Sequence, residues 1–215
     1  ENLGIVGESG SGKSTLAKIM MGLIPWDQGA LWYGTEDETS KSFPDWERLR
    51  KHVQILFQNT SQVLDPRWNV DNILKEAQLE DNATERKNSI QQVGLSSDFL
   101  LRYPHQMSGG QRQRIAIARA LIRQPKVLIW DEPLVGLDLS IQAQLIQLML
   151  DLKQQYQMTY ILISHDLSVV RIFCDRVIIM KTGTIVEQGT ILEIFENPKE
   201  IYTKNLLKSI PKLMI

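Results

Sequence analysis

The chain has 215 residues, a formal net charge of −1, and 43% hydrophobic and 23% charged residues, the composition of a globular protein with room for one domain or for a core with a subdomain. The near-zero charge gives no global field that attracts nucleic acid, and the single cysteine, Cys174, excludes a disulfide framework within the chain and most cysteine metal sites. Because no apolar run approaches the ~20 residues that span a bilayer and no signal peptide is present, we expect a cytoplasmic protein.

The first predicted elements are a strand, a phosphate-binding loop and a helix. The loop Gly7-Glu8-Ser9-Gly10-Ser11-Gly12-Lys13-Ser14-Thr15 matches the pattern G-x-x-x-x-G-K-[ST]. Apolar residues at 3–6 predict a buried strand before it, and 15–23 predicts a helix behind it. The glycines let backbone N–H groups crowd around phosphate oxygens, and the helix N-terminus adds partial positive charge. Lys13 supplies a full charge and Ser14 a hydroxyl for Mg²⁺. A plain Gly/Ser turn is the alternative, and the order strand, loop, helix argues against it.

The middle of the chain changes from strand-like to helical patterns. Residues 30–33 and 53–57 are strand-like, with a polar loop at 35–42 between them. Residues 70–77 and 83–93 have helical spacing, and Gly94 is a plausible helix stop. Pro125 closes this block. We therefore predict a core formed by 1–65 and 125–215, interrupted by a helical subdomain at 66–124.

The last third of the chain alternates strands with helices. The short apolar run 127–130 is typical of a parallel strand buried on both faces, and 160–163 is a second such run. Residues 140–156 predict a helix with one apolar face, made by Ile141, Leu145, Leu148 and Leu152. Residues 177–180 and 184–187 predict a hairpin that turns at 181–183, and helical pieces follow it. This alternation indicates an α/β fold with a mostly parallel sheet.

Two further motifs narrow the chemistry. Asp131 and Glu132 end a buried strand, where open α/β sheets place their ligands, so that Asp131 can hold Mg²⁺ and Glu132 can orient or deprotonate a water. A solvated acidic turn is the alternative. Ser108-Gly109-Gly110-Gln111 precedes a predicted helix at 112–123 and fits a capping box, which makes a second phosphate receptor at a positive helix end. One nucleotide hardly needs two receptors from one subunit. We infer that each copy lends one receptor to the nucleotide of the other copy.

Together these motifs resemble the ATP-binding subunits of ABC transporters, over essentially the whole chain. The phosphate loop resembles the Walker A motif, 107–111 the family signature, and 127–132 Walker B. Gln58 is similar to the Q-loop glutamine, Asp138 to the D-loop aspartate and His165 to the switch histidine. The resemblance implies a P-loop NTPase of the RecA-like type, with a mostly parallel sheet core and an inserted helical subdomain.

The resemblance also implies an ATPase that uses ATP and Mg²⁺ in a head-to-tail pair of subunits. It implies three catalytic residues, with Glu132 as general base, His165 on the γ-phosphate, and Gln58 sensing both Mg²⁺ and the transporter. The implied metal ligands are Ser14, Gln58 and Asp131. The implied nucleotide-binding residues are Gly7, Ser9, Gly10, Ser11, Gly12, Lys13, Ser14 and Thr15 from one subunit and Ser108, Gly109, Gly110, Gln111 and Asp138 from its partner.

A finer resemblance connects the chain to importers of oligopeptides, dipeptides and nickel. It rests on 57–59 with 64–67, on 103–105, on 140–144, and on the tail from 183–187 to Asn197-Pro198 and Tyr202-Thr203. It implies a peripheral protein on the cytoplasmic face of the membrane. Its implied partners are a second ATPase subunit, identical or paralogous, the transmembrane permease subunits and, indirectly, an extracytoplasmic solute-binding protein. The cargo, whether peptide, nickel or a metal chelate, stays open.

The sequence departs from the family pattern at two places. Members usually have earlier strands, and an aromatic residue that stacks on adenine, upstream of the phosphate loop, and we expect both to be missing here. Val135 stands where the D-loop usually carries serine. Because valine has no hydroxyl to donate across the dimer, we hypothesise that the two ATP sites of a heterodimer are unequal, which a Val135→Ser variant tests through the turnover at each site.

Two other classes of protein fit the sequence less well. A nucleic-acid-linked ATPase of the same superfamily would use Arg112, Arg114, Arg119 and Arg123 as a basic stripe. The alternative is a solvated helix face with ion pairs inside the subunit, and we expect no nucleic-acid partner, which filter binding at varied salt tests. A GTPase is disfavoured because no Asn-Lys-x-Asp guanine motif is present, and a small-molecule kinase because it would leave 108–111 unexplained. Comparing the hydrolysis of ATP with that of GTP tests this.

Overall fold

The computed structural model describes residues 1–31, 46–58 and 64–208, and of 46–48 only the backbone. The described residues form two compact units. The first takes in those of Glu1–Val53 and Thr159–Ile215, and the second those of Gln54–Met158. The loop predicted at 35–42 and the second half of the strand-like piece at 30–33 lie outside the described residues.

Strands and helices alternate along the chain, which confirms the predicted α/β class. The strands are β1 (Asn2–Val6), β2 (Val53–Leu56), β3 (Val127–Asp131), β4 (Thr159–Ser164), β5 (Arg176–Lys181) and β6 (Thr184–Thr190). The helices are α1 (Lys13–Met20), α2 (Trp46–His52), α3 (Val70–Ala77), α4 (Ala83–Gln92), α5 (Gly109–Leu121), α6 (Leu139–Tyr156), α7 (Leu167–Phe173), α8 (Ile191–Glu196) and α9 (Ile201–Lys208). Within the described residues, every helix is too short or too polar to cross a bilayer.

The first unit is built on four strands in the order β4-β1-β5-β6. β1 is parallel to β4 and to β5, whereas β6 is antiparallel to β5. Val6 pairs with both Ser164 and Ile179, so the carboxyl ends of the three parallel strands meet at one edge of the sheet. The inner strands bury continuous apolar runs, as expected of parallel strands covered on both faces. Their core residues, none more than 1% exposed, are Ile5, Val6, Leu162, Ile163, Val177 and Ile179.

The hairpin between β5 and β6 turns where the sequence predicts it. Thr182 and Gly183 form a two-residue turn with φ values of 49° and 81°. Two consecutive positive φ values are typical of a type I′ turn, whose twist matches that of the flanking strands. Threonine is an unusual residue in this conformation, which glycine adopts more readily.

The second unit holds β2 and β3 as neighbouring strands, together with helices α3 to α6. Between residues 64 and 124, all of them described, the chain forms helices and turns and no strand, in agreement with the helical spacing. Side chains cap the helix N-termini: Asn69 accepts from Asn72 N–H, and Asn82 from Glu85 N–H. The boundaries 66–124 of a separate subdomain remain a prediction.

Three helix details differ from the prediction. α1 covers Lys13–Met20 instead of 15–23, because Gly12 caps its start and Gly22, at φ 65°, ends it. α5 begins at Gly109 instead of 112, because Ser108 is its N-cap. On α6, Leu145, Leu148 and Leu152 are buried as predicted, whereas Ile141 is half-buried at the edge of that face.

A buried arginine joins α3 to α4 in the second unit. The Arg86 guanidinium, 6% exposed, donates to Asp71 at 2.7 Å, to Asp81 at 2.6 Å and to the Gln78 side chain at 2.7 Å. Lys75 also contacts Asp81, at 2.5 Å. The hydrogen bonds from Lys75 and then Arg86 hold the pKa of Asp81 below its ordinary value. A carboxyl group whose pKa is lowered on folding stabilises the protein at pH values above the pKa of the unfolded state. This stabilisation is lost as the pH falls through the lowered pKa of the folded state.

Replacing this arginine should destabilise the protein. Arg86→Met keeps the length of the side chain but leaves Asp71 without its partner, and Asp81 with Lys75 alone. Because the arginine is buried and its partners are half-exposed, we expect the free energy of unfolding to fall by about 2 kcal/mol. This lies between the losses typical of breaking a buried and a surface salt bridge. Urea unfolding at pH 7 measures the change, and acid unfolding should begin at a higher pH. Lys87→Met, on an exposed site of α4, is the control and should change stability by less than about 0.5 kcal/mol. Equal stabilities of the two variants would contradict the assignment.

Candidate functional site

The phosphate loop, residues 7–15, connects β1 to α1 in the first unit. Gly10 and Gly12 adopt φ values of 81° and 99°, which side chains rarely tolerate. At Gly7 a Cβ atom would lie 2.2 Å from the Met180 carbonyl oxygen of β5. The glycines of the motif are therefore required by the backbone, as the pattern predicts. The positive end of α1 faces the loop, with Leu16 N–H to Gly12 O as the first hydrogen bond of the helix, at 2.9 Å.

The Lys13 ammonium lies inside the loop. Its Nζ donates to the carbonyl oxygens of Gly7 and Glu8, both at 2.8 Å, and to Ser11 Oγ at 3.4 Å. The residue is 6% exposed, which is rare for lysine. A buried ammonium beside the positive end of a helix attracts an anion strongly, because few waters screen it. The loop thus presents a fixed positive charge at the point where the motif predicts phosphate.

His165 lies at the same edge of the sheet as the phosphate loop. It directly follows β4, whose last residue, Ser164, pairs with Val6 at the end of β1. The histidine is exposed. The next residue, Asp166, is held by two hydrogen bonds: its N–H donates to Ser164 Oγ at 3.0 Å, and its carboxylate caps the N-terminus of α7. The first unit therefore brings together the residues predicted at 7–15 and His165.

The second unit holds the acidic pair. Asp131, the last residue of β3, is 5% exposed, and Glu132 follows it with a φ of 52°. A positive φ at a non-glycine residue costs conformational energy and is enriched at functional sites. The strained backbone turns the chain sharply between the buried strand and the segment 134–138, the predicted D-loop. This geometry argues against a plain solvated turn.

The D-loop is held by a glutamine that the sequence analysis missed. Gln142 Nε2 donates to the carbonyl oxygens of Leu134 at 3.1 Å and of Leu137 at 2.9 Å. Gln142 N–H also donates to Asp138 O at 2.9 Å, which begins α6. Val135 and Asp138 stay exposed on this loop. The glutamine is the third residue of the predicted helix 140–156, where a side chain that folds back onto the preceding loop leaves no signal in the sequence.

The signature turn, residues 108–111, begins α5 as predicted. Ser108 Oγ accepts from Gln111 N–H at 3.3 Å, and the Gln111 side chain accepts from Ser108 N–H at 2.9 Å, a complete capping box. The turn packs on α6 and the D-loop: a Cβ at Gly110 would lie 2.7 Å from Ile141 Cγ2, and one at Gly109 would lie 3.5 Å from Leu137 Cδ2. The signature turn and the D-loop are therefore packed against each other within the second unit.

Gln58 is exposed and lies two residues beyond β2, the neighbour of β3. The second unit thus contains Gln58, Asp131, Glu132, Asp138 and the signature turn. The roles of these residues, and those of the phosphate loop and His165, remain predictions.

Three of the four arginines of the proposed basic stripe contact their own chain. Arg112 donates to Met107 O and Arg114 to Val93 O, both at 2.6 Å, and Arg119 pairs with Glu76 at 2.7 Å. These bonds tie α5 to the segments around it. They favour a helix face with contacts inside the subunit over a surface for nucleic acid.

Among the described residues, no group of three or more His, Cys, Asp or Glu side chains could hold a metal ion by itself. The predicted ligands Ser14, Gln58 and Asp131 offer hydroxyl, amide and carboxylate oxygens. Such hard donors suit Mg²⁺, which keeps several waters and is usually bound through one or two carboxylates together with substrate phosphates.

The chain is similar to known proteins in sequence. The family model described as ABC transporter matches residues 1–135. The chain is 43% identical over 220 residues to the oligopeptide transport ATP-binding protein OppF of Haemophilus influenzae, covering 98% of this chain and 66% of that protein. It is also 43% identical over 221 residues to the dipeptide transport ATP-binding protein DppF of Escherichia coli K12, covering 99% and 66%. The chain thus spans about two thirds of the length of these curated relatives.

Solved structures show the same fold. CbiO1 of Clostridium perfringens, part of the ABC transporter complex cbiONQ, aligns with a TM-score of 0.79 and 28% identity, over 92% of this chain and 80% of that one. A dimeric ATP-binding cassette in a post-hydrolysis state, bound to ADP and Pi, aligns with a TM-score of 0.74 and 28% identity, over 89% and 85%. The predicted P-loop NTPase fold is confirmed.

Proposed function

This chain belongs to the ABC transporter family, and from that membership we propose that it binds and hydrolyses ATP to power the import of peptides. The observation that carries the proposal is the phosphate loop, in which a buried lysine is held by the loop carbonyls beside a helix N-terminus. The relatives described above are named as ATP-binding proteins of oligopeptide and dipeptide transport, which favours peptides over nickel or metal chelates as cargo.

The proposed reaction assigns one role to each predicted site residue. The phosphate loop with Lys13 binds the triphosphate, and His165 contacts the γ-phosphate from the neighbouring strand end. Glu132 deprotonates the attacking water. It directly follows β3, and its backbone conformation, with a φ of 52°, sets the direction of its side chain. Ser14, Gln58 and Asp131 would hold Mg²⁺, which supplies charge neutralisation on the phosphate oxygens when bound.

The proposed assembly is a head-to-tail dimer, with an identical or a paralogous subunit. In it, Ser108, Gly109, Gly110, Gln111 and Asp138 of one subunit close on the nucleotide of the other. Membrane permease subunits contact the protein at the cytoplasmic face of the membrane, and a solute-binding protein acts through them. Support comes from the exposed signature residue Ser108 and the exposed D-loop residue Asp138, both on the second unit.

The experiment measures nucleotide hydrolysis by the purified protein and the response of the transporter complex to candidate cargoes. The purified protein should release phosphate from ATP in the presence of Mg²⁺, faster than from GTP. The protein should then co-purify from native membranes with its permease subunits, and peptides offered with the solute-binding protein should stimulate the complex in proteoliposomes. Stimulation by Ni²⁺ and not by peptides would move the cargo to the nickel class. Absence of any Mg²⁺-dependent ATP hydrolysis by the complex would overturn the proposal.

A further inference from the structure

The C-terminal helix α9 contacts the phosphate loop within the first unit. Glu8 N–H donates to the Tyr202 hydroxyl oxygen at 3.3 Å, across a sequence separation of 194 residues. The Lys181 ammonium lies 4.7 Å from the centroid of the Tyr202 ring. Tyr202 is half-buried between these groups. A tyrosine of the C-terminal helix thus contacts Glu8, the residue after Gly7 in the phosphate loop.

The peptide unit between Gly7 and Glu8 has both of its polar groups bound. Its carbonyl oxygen, that of Gly7, accepts from Lys13 Nζ at 2.8 Å, and its N–H group, that of Glu8, donates to Tyr202. A trans peptide is planar, so the directions of its C=O and N–H groups are fixed to each other. The Tyr202 hydroxyl therefore helps to set the direction of the carbonyl that holds the Lys13 ammonium.

Glu187 fixes the start of α9, and with it Tyr202. Its carboxylate on β6 accepts from Lys199 N–H at 2.7 Å and from Glu200 N–H at 3.2 Å, just before the helix begins at Ile201. Burial of Glu187 by itself raises its pKa, but these hydrogen bonds outweigh burial and hold the pKa below its ordinary value.

The hairpin turn completes the support of the loop. Gly183 N–H donates to Ser11 O at 3.0 Å, and Lys181 on the same hairpin covers the Tyr202 ring. The phosphate loop is thus contacted by the hairpin and by α9, neither of which belongs to the phosphate-binding motif.

We propose that Tyr202 is a positioning residue of the nucleotide site: through Glu8 it orients the Gly7–Glu8 peptide and so places the Lys13 ammonium for the phosphates. Glu187 acts on the same path by anchoring α9. The inference rests on the proposed function, because it assigns a role to Tyr202 in the same ATP site.

The test uses Tyr202→Phe, which removes the hydroxyl and keeps the ring beneath Lys181. Loss of one hydrogen bond to the loop should weaken binding of the Mg²⁺ complex of AMP-PNP, a non-hydrolysable ATP analogue, about fivefold in calorimetry. The KM for ATP should rise by a similar factor, and kcat should change less than twofold. Tyr156→Phe, the same change at the end of α6 in the second unit, is the matched control and should bind like the parent protein.

Glu187→Ala is the second variant, because it releases α9 without touching the loop or Tyr202. If Glu187 acts through Tyr202, the double variant Glu187→Ala with Tyr202→Phe should bind no more weakly than the more affected single variant. Independent effects would multiply instead. Multiplied effects would overturn the path through Glu187, and an unchanged affinity in Tyr202→Phe would overturn the role of Tyr202.

Hydrogen exchange of the Glu8 amide separates this inference from the proposed function. In the nucleotide-free protein, Tyr202→Phe should accelerate exchange at Glu8, while a core amide of β1, such as that of Ile5, keeps its rate. If the parent protein binds no ATP but Glu8 exchange accelerates, the proposed function fails and the contact stands. If ATP binds and both Glu8 exchange and affinity are unchanged, the Tyr202 inference alone fails.

Discussion

Glu132→Gln should bind ATP as tightly as the parent protein and hydrolyse it at least about 100-fold more slowly. A general base in the transition state contributes about 10²–10⁴-fold to the rate, and the amide of glutamine cannot accept the proton of the attacking water. Glutamine has the same shape as glutamate, so the strained turn after β3, with its φ of 52° at this residue, should persist.

The measurements are the steady-state release of phosphate and the affinity for ATP, each made at saturating Mg²⁺. Glu80→Gln, the same change at an exposed residue before α4 of the second unit, should leave both unchanged. The expected separation of kcat from binding identifies a group that acts in the transition state. A normal turnover in Glu132→Gln would assign the base elsewhere. A loss of ATP binding would instead indicate that residue 132 holds the ground-state complex.

The elements that position the site were predictable because local signals agreed with tertiary structure. The strand before Gly7 and the strand before Asp131 are short continuous apolar runs, which only a strand covered on both faces can bury. The capping box at Ser108 and Gln111 forms as predicted, since it depends on residues three apart. α1 begins two residues and α5 three residues before the predicted starts, because the first turn of each helix lies inside a glycine-containing motif.

The supports of the site were not predictable, because they join residues distant in sequence. The hydrogen bond from Glu8 to Tyr202 spans 194 positions, and neither residue type at its place indicates the other. The close approach of Gly7 to Met180 has the same character: the motif specifies glycine, but only the sheet order, with β5 beside β1, gives the steric reason. The positive φ of Glu132 is likewise imposed by the fold, since glutamate has no preference for it.

A mixture of two inactive variants should recover about one quarter of the activity of the parent protein. Lys13→Met removes the ammonium of the phosphate loop and should abolish productive nucleotide binding. Gly109→Asp places a negative charge in the signature turn. A Cβ at residue 109 meets only Leu137 Cδ2 at 3.5 Å, an ordinary contact, and aspartate is favourable in the first turn of a helix, so α5 should still fold. Each variant alone should hydrolyse ATP at least about 100-fold more slowly.

Recovery follows from the geometry of a head-to-tail dimer. In a mixed dimer, one site combines both defects, and the other combines the intact phosphate loop of the Gly109→Asp subunit with the intact signature turn of the Lys13→Met subunit. Random exchange makes half of the dimers mixed, each with one working site of two, hence about one quarter of the parent rate. If the assembly pairs this chain with a paralogue, Lys13→Met in this chain and the signature change in the paralogue fall on the same site, so the other site should keep about half of the parent rate. Both changes in this chain should instead abolish both sites. Gly109→Ala, which adds no charge, is the control for the turn. Mixed dimers that form, as co-purification of two differently tagged variants would detect, but show no recovered hydrolysis would contradict a nucleotide shared between the phosphate loop of one subunit and the signature turn of the other.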